Sequence, residues 1–355
     1  MAVSFTAIVM GNSDNGYLAA GAFFAFVPFF AFRTRSGIRR YVISLAVFFT
    51  SVLLCLRLQE AMPDKVIPLS GVFNVFKKLP FMPALVILLW AAAAVLILLR
   101  ARAERPGAAA KDRDAGRMPD ILWKVWLGLV FAAIAGIIIA VLRVTAAMTP
   151  EEASERFGSL GQYLCFSDEW GTFRGYIWRA CIEEYGKLPF LQRIFGTGPD
   201  TFGIYMVNSR YREMVTTTKQ FFDSAHNEYL QYLFTVGPVG LVSYIGLLAS
   251  SVIRSARQHF ALSGTGAPAG KASGGRTEEA PSGDAPEPGK REKASREPDF
   301  DLSGIDPQYD AYFAAFAMVV ICYAFQAIVN INLPVATPVL WMFLVLMCAN
   351  RRRQA

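Results

Sequence analysis

Residues 121–143, ILWKVWLGLVFAAIAGIIIAVLR, decide the fold class, because they form an almost unbroken apolar run long enough to cross a bilayer. A transmembrane helix needs about 20 such residues. Similar runs recur along the 355-residue chain, which is 54% hydrophobic and only 18% charged. The sequence therefore predicts an all-α polytopic membrane protein with about seven spans, since helices satisfy their own backbone inside lipid. The predicted spans cover about 17–32, 41–58, 81–99, 121–143, 228–253, 309–329 and 334–350.

The net charge of +7 does not indicate nucleic-acid binding, because the arginines and lysines cluster directly after predicted spans. Such clusters mark cytoplasmic span ends. Segments 33–40, 100–120 and 254–308 and the C-terminus are therefore expected in the cytoplasm. The same alternation puts 59–80, 144–227 and the turn near Asn330 on the outer side.

The organisation follows from these spans. We expect N-terminal membrane helices over 1–143, an extracytoplasmic catalytic loop over 144–227, a transmembrane helix over 228–260, and a C-terminal pair of transmembrane helices over 301–355. Residues 261–300 are rich in Gly, Ala, Pro, Ser and charge, which predicts a disordered cytoplasmic linker. Residues 1–10 are apolar but too short to span, so they are expected to lie at the interface or to pack on the bundle.

The outer loop 144–227 carries eleven or more aromatic residues, which is unusual for a structureless connection. Long ordered loops are commonly functional. The spacing of polar and apolar residues over 172–187 predicts an amphipathic helix. Pro189, Gly196, Gly198 and Pro199 are expected to end helical structure after it.

His226 is one of two histidines in the chain and stands directly before a predicted span. Ser224 or Asn227 could cap that span's first turn. The helix dipole there would favour neutral imidazole, which can accept a proton near pH 7. The alternative is a histidine that only holds the loop at the membrane surface.

The outer-loop arginines could bind phosphate through their planar fork, and ordinary surface ion pairing is the alternative for each of them. Arg174 stands out, because its neighbours Phe173, Tyr176 and Trp178 suit an aromatic-lined site. The sequence contains no phosphate-binding Gly-rich loop, dinucleotide fingerprint or Cys/His metal motif. A transporter or flippase is a second hypothesis, but the spans are almost free of charge; a glycan-binding scaffold is a third.

These motifs together resemble those of the O-antigen ligase and polymerase family, which are bacterial integral-membrane enzymes. The resemblance rests on Arg174, Ile177-Trp178, Pro189, Gly196 to Phe202, Ala225 to Gln231, and Gly237 to Leu241. The stretch from Gly11 to Ala19 and the tail residues Asn332, Pro334, Ala336, Thr337 and Pro338 are similar too.

The resemblance implies the architecture of the C-type membrane glycosyltransferases and a site on the extracytoplasmic face of the bacterial inner membrane. It implies metal-independent transfer of a glycan from undecaprenyl diphosphate to an acceptor hydroxyl, on a second glycan, on lipid A core or on another acceptor, with no cofactor. It implies that Arg174 holds the diphosphate and that His226 activates the acceptor. The further substrate-binding residues expected are Trp178, Arg179, Arg210, Arg212, Asn227 and Tyr229.

Two expectations remain. Family members usually carry more spans before the Gly11-Asn12 stretch, so the chain is expected to be an N-terminally shortened form. Cys165 and Cys181 bracket Arg174 in the outer loop, and we hypothesise a disulfide between them, with two free buried thiols as the alternative.

Overall fold

The computed structural model describes residues 1–65, 76–77, 79–103, 118–264, 308–331 and 336–349, and every regular element within these ranges is helical. The helices are α1 (Ala2–Met10), α2 (Asp14–Ala31), α3 (Arg35–Ala61), α4 (Met82–Ala103), α5 (Asp120–Ala147), α6 (Pro150–Phe157), α7 (Gly161–Leu164), α8 (Trp170–Lys187), α9 (Phe190–Phe195), α10 (Phe202–Thr218), α11 (Glu228–Gly264), α12 (Gln308–Gln326) and α13 (Ala336–Ala349).

Four of these helices are long and apolar enough to cross a membrane: Arg35–Ala61, Met82–Arg102, Asp120–Ala147 and Glu228–Phe260. They coincide with four of the predicted spans. The stretch Tyr312–Gln326 is a shorter apolar helix, and the polar first turn of α2 at Asp14 and Asn15 lowers that helix's mean hydropathy. The helical membrane class is thus confirmed, while the count of seven spans stays a prediction.

The short N-terminal helix α1 packs on the bundle, which is one of the two arrangements expected for residues 1–10. Phe5 and Val9 are buried against α2 and α3. The Phe5 ring lies 5.7 Å from the ring of Phe24 and 5.4 Å from that of Phe48. One face of this short helix is thereby covered by protein, while Val3 and Met10 stay exposed.

Pro28 lies inside α2 and has no N–H to donate, so the carbonyl of Phe24 loses its helical partner. The hydroxyl of Tyr41 on α3 donates to that carbonyl at 3.0 Å. The indole nitrogen of Trp126 on α5 donates to the next carbonyl, of Ala25, at 2.8 Å. The backbone of α2 is therefore satisfied by side chains of its neighbours, as a low-dielectric surrounding requires.

The long segment between α5 and α11 has a core of its own. Tyr176 and Ile177 of α8, Phe202 and Met206 of α10, and Phe234 of α11 are almost fully buried together. Since Phe234 belongs to the last predicted span of this region, the segment is docked on the first turns of α11. This arrangement places the predicted loop helices at the same end of the bundle as the start of α11.

Hydrogen bonds tie the start of α11 to the end of α12 and the start of α2 to α7. The backbone N–H of Glu228 donates to the carbonyl of Ala327, just beyond the end of α12, at 2.9 Å. The Tyr163 hydroxyl donates to the carboxylate of Asp14 at 3.2 Å. Residues 265–300 of the predicted linker and the motif residues Asn332 and Pro334 lie outside the described residues.

Candidate active site

The first turn of α8 presents Arg174 through an unusual backbone. Gly171, Thr172 and Phe173 adopt left-handed conformations in succession, with φ values of 58°, 63° and 65°. A left-handed residue other than glycine costs of the order of 1–3 kcal/mol, and such residues concentrate at functional sites. The strain falls on the turn immediately before Arg174.

Gly175 lets the preceding loop pass against this turn. A Cβ at Gly175 would lie 1.8 Å from the carbonyl oxygen of Ser167, so no larger residue fits. The backbone N–H of Tyr176 donates to the carbonyl of Asp168 at 3.1 Å. The loop 167–169 therefore crosses α8 and holds the left-handed turn in place, which predetermines the position of Arg174.

The guanidinium of Arg174 is half-buried and makes no hydrogen bond or ion pair with any of the residues that the structure describes. Gly171 covers it, since a Cβ there would lie 3.6 Å from Nη1 of Arg174. Burial lowers the pKa of Arg174, and the carboxylate of Asp14 opposes that shift. A cation that is desolvated without a protein partner is suited to a bound anion.

His226 is held beside Arg174 by the turn that precedes α11. Its φ is 47°, so it too is left-handed. Its ring meets the ring of Phe222 edge-on at 5.5 Å between centroids. Burial lowers the pKa of His226, the positive charge of Arg174 lowers it further, and Asp223 acts in the opposite direction. The imidazole is therefore biased toward its neutral, proton-accepting form.

Asn227 is the cap of α11, as its position in the sequence suggested. Its side-chain oxygen accepts from the backbone N–H of Leu230 at 3.0 Å. The Tyr229 hydroxyl donates to the carbonyl of Ala324 on α12 at 2.7 Å. Both residues thus have structural partners that place His226, and their expected role in substrate binding stays a prediction.

Trp178 lies one turn after Arg174 and belongs to an aromatic cluster with Phe166 and Trp170. Its ring centroid is 5.3 Å from that of Trp170 and 6.1 Å from that of Phe166. Its indole nitrogen is buried and has no hydrogen-bond partner in the described part of the chain. This buried donor is unpaired within the described residues, and the expected role of Trp178 in substrate binding stays a prediction.

The other predicted arginines lie in different settings. Arg179 forms ion pairs with Asp168 at 2.7 Å and with Glu183 at 3.1 Å. Arg210 is mostly buried and pairs with Glu184 at 2.6 Å, with further bonds to Glu183 and Glu213.

Ion pairing was the alternative for each arginine, and the structure shows it for Arg179 and Arg210. Arg212 is exposed on α10. Neither Arg210 nor Arg212 is seen in contact with Arg174 or His226. Two of the three carboxylates that bind Arg210, those of Glu183 and Glu184, come from α8, so this residue fastens α10 to α8.

The disulfide hypothesis is wrong in this structure. Cys165 and Cys181 are both free and buried. The thiol of Cys165 points to the carbonyl of Met148 at 3.6 Å, and the thiol of Cys181 points to the carbonyl of Leu230 at 4.0 Å. Their closeness in sequence to Arg174 did not show that they pack against different elements. Among the described residues no group of three or more His, Cys, Asp or Glu side chains could hold a metal ion.

Glu228 is a residue of this region that the sequence reasoning did not single out. It is only 2% exposed. Its carboxylate accepts from the hydroxyl of Tyr244 at 2.5 Å and from the hydroxyl of Tyr323 at 2.9 Å. A charged residue at the start of a predicted span was the available signal, because buried acids are rare and need partners. Glu228 ties the helix that follows His226 to α12.

A kink in α11 brings together two glycine-containing motifs, Gly196 to Phe202 and Gly237 to Leu241. Gly237 has φ 70° and ψ 177°, and Pro238 follows it. The kink releases the carbonyls of Phe234 and Thr235, which accept from the backbone N–H groups of Thr197 at 3.0 Å and Gly198 at 2.9 Å. The loop after α9 is thereby clamped into the kink.

Comparison with known proteins agrees with the motifs. No curated protein and no solved structure matches the chain. Residues 82–245 match a family model described as O-Antigen ligase, a range that includes Arg174, His226 and the kink at Gly237. This match supports an activity of the general class of membrane glycan ligases or transferases. The match confirms the resemblance predicted from the motifs for residues 82–245, which are similar to the O-antigen ligase domain.

Proposed function

We propose that the protein transfers a glycan from an undecaprenyl-diphosphate donor to an acceptor hydroxyl, without a metal ion, on the extracytoplasmic face of the bacterial inner membrane. The observation that carries the proposal is the pairing of Arg174 and His226. The half-buried Arg174 guanidinium makes no hydrogen bond or ion pair within the described residues, and it lies close enough to His226 for its charge to lower the histidine's pKa. A cation for the leaving group and a base for the acceptor thus face one site.

The reaction assigns one role to each residue. The acceptor oxygen attacks the anomeric carbon of the donor sugar, and the bond from that carbon to the diphosphate oxygen breaks. The acceptor proton passes to the neutral imidazole of His226. Undecaprenyl diphosphate leaves with the bonding electrons, and Arg174 compensates the charge that develops on the leaving oxygen. The proton is then released from His226 to solvent or to the departing diphosphate.

An apolar cavity supports a lipid-linked donor. It has a volume of about 680 Å³ and lies between α2, α5, α11 and α12. Its lining includes Phe29, Ile245 and Leu248, and it begins at Tyr229, three residues after His226. A polyprenyl chain in this cavity would leave its diphosphate at the start of α11.

The structure supports polymerase and ligase activity equally, because the acceptor differs only in what carries the hydroxyl. Both reactions need the same leaving-group cation and the same base. The further substrate contacts proposed are Trp178, Asn227 and Tyr229 beside the site, and Arg179, Arg210 and Arg212 on α8 and α10. The first two of these arginines would have to exchange carboxylate partners to bind a phosphate.

The test uses membranes containing the full chain and lipid-linked glycan from the native strain. Arg174→Ala and His226→Gln should each lower the transfer rate by at least about a hundredfold. Arg174→Lys should restore only part of it, because a lysine keeps the charge and loses the fork. Arg193→Ala, an exposed arginine on α9, is the matched control.

The readouts are polymer on a gel, the lipid-linked donor that accumulates, and the protein level. EDTA should leave the wild-type rate unchanged. Full transfer by Arg174→Ala at a normal protein level would contradict the proposed site. A rate abolished by EDTA and restored by a divalent cation would contradict metal independence.

A further inference from the structure

A polar groove lies between α10 and the start of α11, next to the proposed site. It has a volume of about 840 Å³. Among the described residues that line it, Asp200, Asp223 and the buried Glu228 are acidic, and none is Lys, Arg or His. The remainder include amides, hydroxyls and two aromatic rings. This composition differs sharply from the apolar cavity between the membrane helices.

Several polar groups of the groove have no protein partner. The hydroxyl of Ser224 is buried and makes no hydrogen bond in the described part of the chain. Within the same part of the chain the side chains of Asp200, Asn208 and Asp223 also form no hydrogen bond. Gln231 uses its carbonyl oxygen to accept from the backbone N–H of Ala225 at 2.9 Å, which leaves its NH₂ group as a donor. The Ser224 hydroxyl is buried without a partner, and the exposed carboxylates and the amides beside it can hydrogen-bond a ligand, so a ligand rich in hydroxyls fits here.

Asp223 connects the groove to the histidine. It lines the groove, and its charge also acts on the imidazole of His226. A saccharide bound along the groove would therefore end within reach of His226. The aromatic rings of Phe221 and Tyr232 also line the groove and offer apolar faces to sugar rings.

We infer that this groove binds the acceptor saccharide and selects neutral or amino sugars against acidic ones. The inference rests on the proposed function and adds the substrate class of its acceptor. The carboxylates of Asp200 and Asp223 are exposed and form no ion pair within the described residues, so they repel uronic acids and phosphorylated sugars. The same carboxylates accept hydrogen bonds from hydroxyls and attract ammonium groups. In the proposed function the donor diphosphate binds at Arg174, which does not line the groove.

The experiment measures binding of three tetrasaccharides to the full chain in nanodiscs by calorimetry. The probes are cellotetraose, the glucosamine tetramer and tetragalacturonate, which are neutral, cationic and anionic. We expect the first two to bind at least about tenfold more tightly than the third.

Two variants test the groove itself. Asn208→Trp fills the groove and should weaken the binding of cellotetraose and of the glucosamine tetramer by at least about tenfold. Asn208→Lys adds a positive charge and should remove the discrimination against tetragalacturonate. Asn208 is an exposed helix position, so both variants are expected to fold. Ser154→Lys, on an exposed face of α6, adds the same charge elsewhere and should change nothing.

The outcomes separate this inference from the proposed function. Equal or tighter binding of tetragalacturonate, binding of none of the probes to the wild type, or undiminished binding by Asn208→Trp would overturn the inference. Arg174→Ala should keep tetrasaccharide binding while it loses glycan transfer. If Arg174→Ala and His226→Gln keep full transfer while Asn208→Trp loses tetrasaccharide binding, the inference about the groove is supported and the proposed catalytic pair is contradicted.

Discussion

The hydroxyl of Tyr244 donates a hydrogen bond of 2.5 Å to the carboxylate of Glu228, across the kink that divides α11. The ring of Tyr244 also stacks on that of Tyr232 at 4.4 Å between centroids. Side chains before and after the kink therefore join the two halves of α11. The same carboxylate reaches Tyr323 on α12, so the geometry of the His226 turn depends on a buried acid.

Removal of this hydrogen bond should destabilise the protein. Tyr244→Phe is expected to cost about 1–2 kcal/mol, because the hydroxyl leaves a buried carboxylate with one donor fewer. Thermal unfolding in detergent, followed by tryptophan fluorescence, measures the effect. Tyr211→Phe, an exposed tyrosine on α10, is the control and should unfold with the wild type. Equal melting temperatures for all three proteins would show that the hydrogen bond contributes nothing.

The kink at Gly237 should tolerate no side chain. A Cβ there would lie 2.1 Å from the carbonyl oxygen of Ile194, and the φ of 70° disfavours L-residues. Gly237→Ala is expected to cost more than about 3 kcal/mol or to prevent accumulation in the membrane. Gly246→Ala in the same helix meets nothing within 4 Å and should be neutral or slightly stabilising. A well-folded Gly237→Ala protein would contradict the clamp between α9 and α11.

Two neighbouring arginines of α10 should behave differently. Arg210→Ala removes the partner of the buried Glu184 and should cost about 3 kcal/mol, since breaking one side of a buried pair strands the other charge. Arg212→Ala, at an exposed position, should change stability by less than about 0.5 kcal/mol. Urea unfolding of the purified variants in detergent compares them. Undiminished stability of Arg210→Ala combined with lost transfer would instead favour a phosphate contact at Arg210.

The titration of His226 should follow from its burial and from Arg174. Because its pKa is lowered in the folded protein, the unfolded chain binds the proton more readily. The contribution of neutral His226 to the free energy of unfolding is therefore fully present above pH 6.5, the ordinary histidine pKa. This contribution is lost as the pH falls from 6.5 through the lower folded-state pKa. Transfer that needs neutral imidazole should lose activity over the same interval.

Proton NMR can follow this directly, because the chain has only two histidines and His259→Asn assigns their signals. Arg174→Gln should raise the pKa of His226 toward 6.5, while Arg193→Gln should not. A folded-state pKa at or above 6.5 in the wild type would contradict the arrangement.

The cysteines of the loop should be free thiols. Intact-mass measurement without reductant, after unfolding with an alkylating agent, should show Cys165 and Cys181 both modified. In the folded protein Cys181 should react slowly, because burial raises its pKa to about 12 and little thiolate is present at neutral pH. A mass two units lower with neither residue alkylated would restore the disulfide hypothesis.

The sequence by itself determined the elements that depend on local chemistry. Apolar runs predict membrane helices because lipid leaves backbone groups no other partner, and four such helices follow the predicted spans. The cap at Asn227, one of two candidates, and the break at Gly196 follow from side-chain and backbone preferences within a few residues. The kink at Gly237 lies inside a predicted span and was not predicted. The resemblance to the family could also be predicted, because its motifs are short contiguous stretches of sequence.

Only the tertiary structure decided which charged groups are paired. Aromatic neighbours distinguished Arg174 in the sequence, but ion pairing was open for every arginine of the loop. The carboxylates of Asp168 and Glu184 reach Arg179 and Arg210 and do not reach Arg174. The same holds for Cys165 and Cys181, which face different backbone carbonyls, and for Glu228, whose partners lie 16 and 95 residues away. Burial and long-range contacts arise from how the helices pack, and local sequence does not specify them.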